Sequence, residues 1–284
     1  METETPPPTS PRLVHLGRLR PCSEPLLKAD DGLVLHGRGV FETLAAYRGR
    51  PFLAGRHFAR LREGATRLGL RVPDDGILHD ALSLALEANG LAAAEPARLR
   101  ITLSSPADGS ESWWVEATPP PVRPARARLV VVPWTRNAGS ALAGCKTPNY
   151  GENHPALSYA AARGGDEALF ANWGGELCEG AWSNVFLRTR SGWTTPPPAT
   201  GCLPGVTRGL VLELAREIGL AVEERALCLG DLPGVEAAFL TSSLRGIQPA
   251  ESIDGRALLP PDPAEAEIEG LRQAYLRRVE ETAP

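Results

Sequence analysis

The chain has 284 residues, of which 23% are charged and 43% hydrophobic, and a net charge of −4. This is the composition of a globular protein with one large or two medium domains. Its 28 arginines and 2 lysines are scattered, and the slight acidic excess argues against a nucleic-acid partner. No apolar run is long enough to cross a bilayer, and the first residues are acidic and proline-rich, unlike a secretion signal. We therefore expect a cytoplasmic protein with no membrane partner.

The five cysteines are an odd number and lie far apart in the sequence. Such spacing fits neither a disulfide framework nor the paired ligands of a zinc site. We expect reduced thiols and no metal.

The first part of the chain predicts a leader, short strands and two helices. Residues 1–12 contain four prolines and cannot bury apolar surface, so they predict a disordered leader. Residues 13–47 predict short strands separated by glycine turns. Apolar residues at spacings of three and four then predict helices over about 58–69 and 77–88.

A polar strand and a proline-rich segment follow these helices. Residues 98–103 alternate strictly, which predicts a strand whose polar face carries Arg100. Four prolines within seven residues predict a linker over 118–125. The linker separates a smaller N-terminal domain, 13–117, from a larger C-terminal domain, 126–284.

The second half of the chain mixes strands and helices without a regular repeat. Strands are predicted over 129–132, 167–170, 182–187 and 237–241, and helices over 155–163 and 206–218. This irregular order predicts an α+β fold rather than a regular βαβ alternation.

Lys146 is one of only two lysines in a chain that otherwise uses arginine. A lysine amine can lose its proton and attack a carbonyl, whereas arginine stays protonated. Lys28 lies in a polar turn and is expected to be a solvated charge. For Lys146, in an irregular stretch, a structural and a catalytic role remain equally open from the residues alone.

Two further features suggest a binding site. Glu179 lies on the return strand of a predicted hairpin among small and apolar residues, where an unpaired carboxylate is costly. The segment 203–208 begins a helix, whose unbonded N–H groups and threonine hydroxyl favour an anion. The alternatives are a partly exposed glutamate and an ordinary helix start.

The order of these features is more specific than any one of them. From about residue 33 to 255 the chain resembles the class IV pyridoxal-phosphate aminotransferases, near the aminodeoxychorismate lyase and D-amino acid aminotransferase branches. Seven blocks carry the resemblance: 39–44 (GVFETL), 57–61 (HFARL), 146–150 (KTPNY), 166–169 (DEAL), 179–186 (EGAWSNVF), 195–197 (TPP) and 203–208 (LPGVTR). The resemblance implies a two-domain α+β fold with a barrel-like sheet in the larger domain, and a homodimer with pyridoxal 5'-phosphate between the domains.

The same resemblance implies the cofactor-binding residues. Lys146 would form the Schiff base and move protons, and Glu179 would face the pyridine nitrogen. Arg60 would bind the phosphate, and Tyr150 would lie near the phenolic oxygen of the cofactor. The remaining phosphate ligands would be Val206, Thr207 and Ser243.

The substrate side departs from the family pattern. Arg100 falls where branched-chain enzymes bind the substrate carboxylate, but it can also be an exposed arginine. His36 and Arg38 stand where many relatives have an aromatic residue and an aspartate, and Thr43 replaces a usual glycine. These are the substrate-side candidates for a small-molecule amino substrate.

Three functions therefore remain open. The first is aminodeoxychorismate lyase, which eliminates pyruvate to give 4-aminobenzoate in folate biosynthesis. The second is an amino acid aminotransferase of the D-amino acid or branched-chain type. The third is a non-catalytic relative that keeps the fold, against which the retention of Lys146, Glu179 and Arg60 argues.

Overall fold

The computed structural model describes residues 11–282. These residues form two compact units, one of residues 11–121 with 146–148 and one of 122–145 with 149–282. The predicted leader lies outside the described residues, except for Pro11 and for Arg12, which begins the first strand. Within the described part of the chain, no helix is both long and apolar enough to span a lipid bilayer.

The first unit contains one antiparallel sheet. Its strands are β1 (Arg12–His15), β2 (Arg18–Pro21), β3 (Val40–Tyr47), β4 (Arg50–Pro51), β5 (Ala97–Leu103) and β6 (Trp113–Thr118). Their order is β2-β1-β6-β5-β3-β4. The predicted alternation in β5 is confirmed as far as Ile101, because Leu99 and Ile101 are buried in the core while Arg100 is only half-buried. It ends there, because Thr102 on the predicted polar face is buried like Leu103.

Three helices belong to this unit: α1 (Gly32–His36), α2 (Ala54–Leu68) and α3 (Asp75–Ala88). Helices α2 and α3 were predicted, and α2 buries Phe58, Leu61 and Ala65 in the core. Helix α1 lies where the sequence predicted only strands and turns. Asp31 caps its first turn by accepting a hydrogen bond from the Leu33 N–H at 2.7 Å, and Gly37 ends it in the left-handed conformation. The glycine turns expected on either side of Gly32–His36 are thus the two ends of a helix.

The second unit contains a nine-stranded sheet. Its strands are β7 (Ala127–Arg136), β8 (Glu167–Asn172), β9 (Leu177–Gly180), β10 (Asn184–Thr189), β11 (Gly192–Thr195), β12 (Val222–Glu224), β13 (Ala237–Ser242), β14 (Gly246–Ile253) and β15 (Arg256–Ala257). The order is β12-β11-β10-β13-β14-β7-β8-β9, with β15 paired to β14.

Chain connectivity requires this sheet to curl. Strands β9 and β10 are five positions apart in the order, roughly 24 Å in a flat sheet. Only residues 181–183 connect them, and so short a connection spans at most about 15 Å. The curl gives the barrel-like sheet expected for the larger domain of this α+β fold.

Three helices complete the second unit: α4 (Asn153–Ala161), α5 (Val206–Glu217) and α6 (Asp262–Thr282). Helices α4 and α5 were predicted and α6 was not, although Ile268, Leu271 and Tyr275 bury one face of it. Residues 119–126 lie between β6 and β7 and form no helix or strand. The domain boundaries on either side of this segment stay a prediction.

Candidate active site

Lys146 is fixed by β3 of the first unit. Its carbonyl oxygen accepts a hydrogen bond from the Phe41 N–H at 3.0 Å, and its Nζ atom lies 4.4 Å from the centroid of the buried Phe41 ring. Lys28, in contrast, is exposed. The chain therefore holds the backbone and the side chain of Lys146 against the same residue.

Arg100 lies on the same aromatic ring. Its Cζ atom is 3.8 Å from the Phe41 centroid, and its Nε donates to Thr102 Oγ1 at 3.1 Å. Thr43 pairs directly with Arg100 across the β3–β5 ladder. This side of the sheet therefore carries two cations beside one ring, so that an anionic group would be attracted next to Lys146.

Arg60 belongs to a buried ion-pair cluster with two residues that the sequence analysis missed. Glu42 accepts from Arg60 Nε at 2.7 Å and from Nη2 at 2.8 Å, and it also contacts His57 Nδ1 at 2.7 Å. Glu42 and His57 are buried, and the Arg60 side chain is 10% exposed. A sequence signal was available, because the alternation in β3 places Glu42 on the same face as Val40 and Leu44.

The cluster shifts the pKa of both partners of Arg60. Burial alone would raise the pKa of Glu42, but the charges and hydrogen bonds of Arg60 and His57 hold it well below its usual range. Burial lowers the pKa of His57, and Arg60 and Lys146 lower it further, against the opposing effect of Glu42. At pH 7, Glu42 is therefore ionised and His57 is neutral.

Glu179 of the second unit is anchored at both carboxylate oxygens. Oε2 accepts from the Leu203 N–H at 2.9 Å, and Oε1 lies 3.6 Å from Arg136 Nε. Arg136 in turn donates to Asn153 Oδ1 at 3.1 Å. The Glu179 side chain is 14% exposed, so it is a largely buried carboxylate with a paired charge.

The start of α5 has the geometry of an anion site. Gly205 is the N-cap and provides no side-chain cap, so the helix N–H groups from Val206 and Thr207 are not covered by a capping side chain. A Cβ atom on Gly205 would clash with Asn184 Oδ1, while Asn184 Nδ2 donates to the Leu203 carbonyl oxygen at 2.8 Å. Glycine is therefore required for this close approach.

The segment that carries Ser243 lies beside this helix start. Asn184 on β10 pairs with Thr241 on β13, and half-buried Ser243 follows in the next turn. The Thr241 Oγ1 atom is buried and has no hydrogen-bond partner among residues 11–282. Asn184 thus links the start of α5 to the segment that carries the Thr241 hydroxyl. A buried hydroxyl without a partner is expected where a polar group binds.

Tyr150 packs against Trp182, which the sequence analysis did not select. The two ring centroids are 4.9 Å apart with the planes tilted by 50°, and the centroid of the His154 ring lies 5.6 Å from that of Trp182. Such contacts hold the phenol in one orientation.

The other substrate-side candidates lie at the end of α1. His36 and Arg38 are both exposed. Arg38 donates from Nε and Nη2 to the Leu68 carbonyl oxygen, at 3.2 and 3.0 Å, and so caps the end of α2. A role for either residue in substrate binding stays a prediction.

Comparison with known proteins gives consistent matches. A family model described as "Amino-transferase class IV" matches residues 39–253. The chain is 31% identical, over 82% of its length and 88% of the relative, to the "Bifunctional aminodeoxychorismate lyase / D-amino acid transaminase" of Mycobacterium tuberculosis. It is 32% identical, over 81% of its length and 83% of the relative, to a putative branched-chain-amino-acid aminotransferase of Methanocaldococcus jannaschii.

A solved structure supports the same relationship. The PLP-bound form of a hypothetical aminotransferase from Mycobacterium tuberculosis matches with a TM-score of 0.84 and 28% identity, covering 94% of this chain and 99% of that one.

Proposed function

Since the chain belongs to the class IV aminotransferase family, we propose that it is an aminodeoxychorismate lyase, which eliminates pyruvate from 4-amino-4-deoxychorismate to give 4-aminobenzoate. The observation that carries this choice is the similarity, over 82% of the chain, to a relative named for that lyase activity. The chain is an enzyme that depends on pyridoxal phosphate, as its family and its relatives indicate.

The residues of the second unit fit the phosphate of this cofactor. The uncapped start of α5 provides N–H donors, Gly205 leaves no room for a side chain, and Thr241 Oγ1 is a buried hydroxyl with no partner in the described chain. Val206, Thr207 and Ser243 would hold the phosphate here, and Arg60 of the first unit would contribute a charge-assisted hydrogen bond.

Lys146, Glu179 and Tyr150 would each have a separate role at the cofactor. When bound, pyridoxal phosphate supplies an electron sink for negative charge at the substrate α-carbon. Lys146 Nζ would hold the cofactor covalently, then take the proton from the α-carbon and return it. Glu179 would keep a proton at the pyridine nitrogen, with its carboxylate oriented by the Leu203 N–H. Tyr150 would donate to the phenolic oxygen of the cofactor.

Arg100 would bind a carboxylate of the substrate. Its place on the Phe41 ring, which Lys146 also contacts, supports a substrate that has a carboxylate near its reacting amine. The proposal includes a homodimer. It also includes a cytoplasmic location, because five free cysteines favour a reducing compartment. His36, Arg38 and Thr43 complete the proposed substrate side.

A second candidate function is an amino acid aminotransferase. The same bifunctional relative is also named a D-amino acid transaminase, and the archaeal relative is named for branched-chain amino acids. Both reactions need proton removal by Lys146, and they differ in whether a carbon–oxygen bond breaks or an amino group is transferred.

Borohydride labelling and product analysis test the proposal together. Reduction of the protein reconstituted with pyridoxal phosphate should fix the cofactor onto the Lys146 peptide, as read by mass spectrometry, with Lys28 as the internal control. Assays with 4-amino-4-deoxychorismate should then yield pyruvate and 4-aminobenzoate in equal amounts. Labelling of Lys28 would contradict the role of Lys146. Amino transfer to 2-oxo acids without pyruvate release would establish the aminotransferase instead.

A further inference from the structure

Glu42 is a completely buried carboxylate near the start of β3. Its two oxygens accept from Arg60 Nε and Nη2 at 2.7 and 2.8 Å, and His57 Nδ1 lies 2.7 Å from Oε2. Two parallel hydrogen bonds fix the plane of a guanidinium group. Arg60 therefore has one orientation, in which its Nη1 edge faces away from Glu42.

The charges of Glu42, His57 and Arg60 indicate that the contact between Glu42 and Arg60 serves to orient the arginine. His57 is buried and its pKa is lowered, so it donates Nδ1–H to Glu42 as a neutral ring. The negative charge of Glu42 is then compensated mainly by Arg60. An arginine whose charge is already paired binds a further anion mainly through well-placed donors, which makes its orientation decisive.

We propose that Glu42 is a positioning residue for the cofactor phosphate, which it affects by orienting Arg60. This inference rests on the proposed phosphate-binding role of Arg60. The preceding residue, Phe41, binds the Lys146 backbone and contacts its side chain. Two successive residues of β3 therefore orient the two cofactor residues of the first unit.

The test compares a ligand that has the phosphate with one that lacks it. Apo protein carrying Glu42→Gln is titrated with pyridoxal phosphate and with pyridoxal, following the absorbance change. The amide keeps the size of the side chain but accepts only one hydrogen bond from Arg60 in the same plane. We expect the affinity for pyridoxal phosphate to fall about tenfold to a hundredfold. The affinity for pyridoxal should stay within about twofold, because no phosphate contact is involved.

The matched control is Glu63→Gln on α2, which removes an exposed carboxylate that pairs with Arg67 at 2.7 Å. It should bind both ligands as the wild type does. If Glu42→Gln fails to fold, Glu42→Asp replaces it, because aspartate keeps the charge but cannot span the same two bonds. The same selective loss of phosphate affinity is expected.

The outcomes separate this inference from the proposed function. Equal weakening of both ligands, or unchanged affinity for both, overturns the positioning role of Glu42. Arg60→Gln should lose the preference for the phosphorylated ligand, and adding Glu42→Gln should then have little further effect. If Arg60→Gln keeps that preference, the assignment of Arg60 to the phosphate is wrong. Additive losses in the double variant contradict the action of Glu42 through Arg60.

Discussion

Glu42 in the first unit and Glu167 in the second are both completely buried and both contact an arginine, yet their pKa values move in opposite directions. Burial raises the pKa of Glu167, and Arg245 and Arg123 only partly offset that rise. For Glu42, burial acts in the same direction, but Arg60 and His57 more than offset it.

The difference lies in the geometry of the arginine contact and in the lengths of the other hydrogen bonds. Arg60 gives Glu42 two bonds in one plane, and His57 gives a third. Glu167 contacts Arg245 through one nitrogen, and it accepts longer bonds from Ser183 Oγ at 3.2 Å and from the N–H groups of Trp182 and Ala168 at 3.3 Å. The two-bond contact with Arg60, together with His57, therefore more than offsets the cost of burying the charge of Glu42, whereas the one-bond contact with Arg245 offsets that cost for Glu167 only in part.

A third largely buried carboxylate, Glu179, differs from both because its proposed role is to pair with the cofactor rather than with another side chain. In Glu179→Gln, the amide cannot compensate a protonated pyridine nitrogen, so the α-carbanion loses stabilisation. A loss of a few kcal/mol corresponds to a decrease in turnover of about a hundredfold or more. Turnover is measured at a cofactor occupancy confirmed by absorbance.

The control for that variant is Glu176→Gln in the same hairpin, which removes a carboxylate that accepts from Asn172 Nδ2 at 2.8 Å. Its turnover should stay within about twofold of the wild type, under roughly 0.5 kcal/mol. If Glu179→Gln also stays in this range, Glu179 is not the partner of the pyridine nitrogen.

Removing the arginine from each buried pair compares the two contacts directly. Arg60→Met leaves Glu42 charged with His57 only, and we expect a loss of about 3 to 5 kcal/mol in the free energy of unfolding. Arg245→Met should cost about 1 to 3 kcal/mol, because Glu167 accepts a proton more readily and keeps its contact with Ser183. Urea unfolding of the apo proteins at pH 7 measures both losses.

An exposed pair provides the reference for these values. Arg67→Met breaks the surface contact with Glu63 and should change the free energy of unfolding by less than about 1 kcal/mol. Equal losses for Arg60→Met and Arg245→Met would mean that the two-bond geometry has no special effect.

Local periodicity predicts most of the fold, and it fails where an element is short or its ends are ambiguous. Strand β5 and helix α2 follow from spacings of two and of three to four. Helix α1 has five residues and no buried side chain, so no periodicity reveals it, and the Gly37 turn that ends it resembles a strand turn. Helix α6, in contrast, has a buried stripe at helical spacing, Ile268, Leu271 and Tyr275, which is a signal in the sequence itself.

Most residues of the candidate site were predicted because they lie inside motifs. Lys146, Glu179 and the start of α5 follow from the order of the seven blocks. The partners of these residues depend on contacts distant in sequence, such as the Phe41 N–H bonding to the Lys146 carbonyl oxygen. For the same reason, the contact of Arg136 with Glu179 and that of Trp182 with Tyr150 could not be read from local pattern.

The pH dependence of stability should separate the two buried glutamates with opposite signs. In the unfolded chain, both glutamates have a pKa near the usual value of 4.5. Because the folded pKa of Glu42 is lowered, its contribution to stability is present above about pH 4.5 and is lost as the pH falls further. Because the folded pKa of Glu167 is raised, its contribution is present below about pH 4.5 and is lost as the pH rises through its folded pKa.

Glu42→Gln and Glu167→Gln should therefore have opposite effects on how steeply the free energy of unfolding falls with decreasing pH. If the folded and unfolded states differ by one bound proton, the free energy of unfolding changes by about 1.4 kcal/mol per pH unit. Glu42→Gln removes a group that binds its proton on unfolding, so the loss of stability between about pH 5 and 3.5 should become shallower by up to this amount. Glu167→Gln removes a group that releases its proton on unfolding, so the same loss should become steeper. Urea unfolding across this range measures the slopes, and a change of the same sign in both variants would show that the two carboxylates titrate alike.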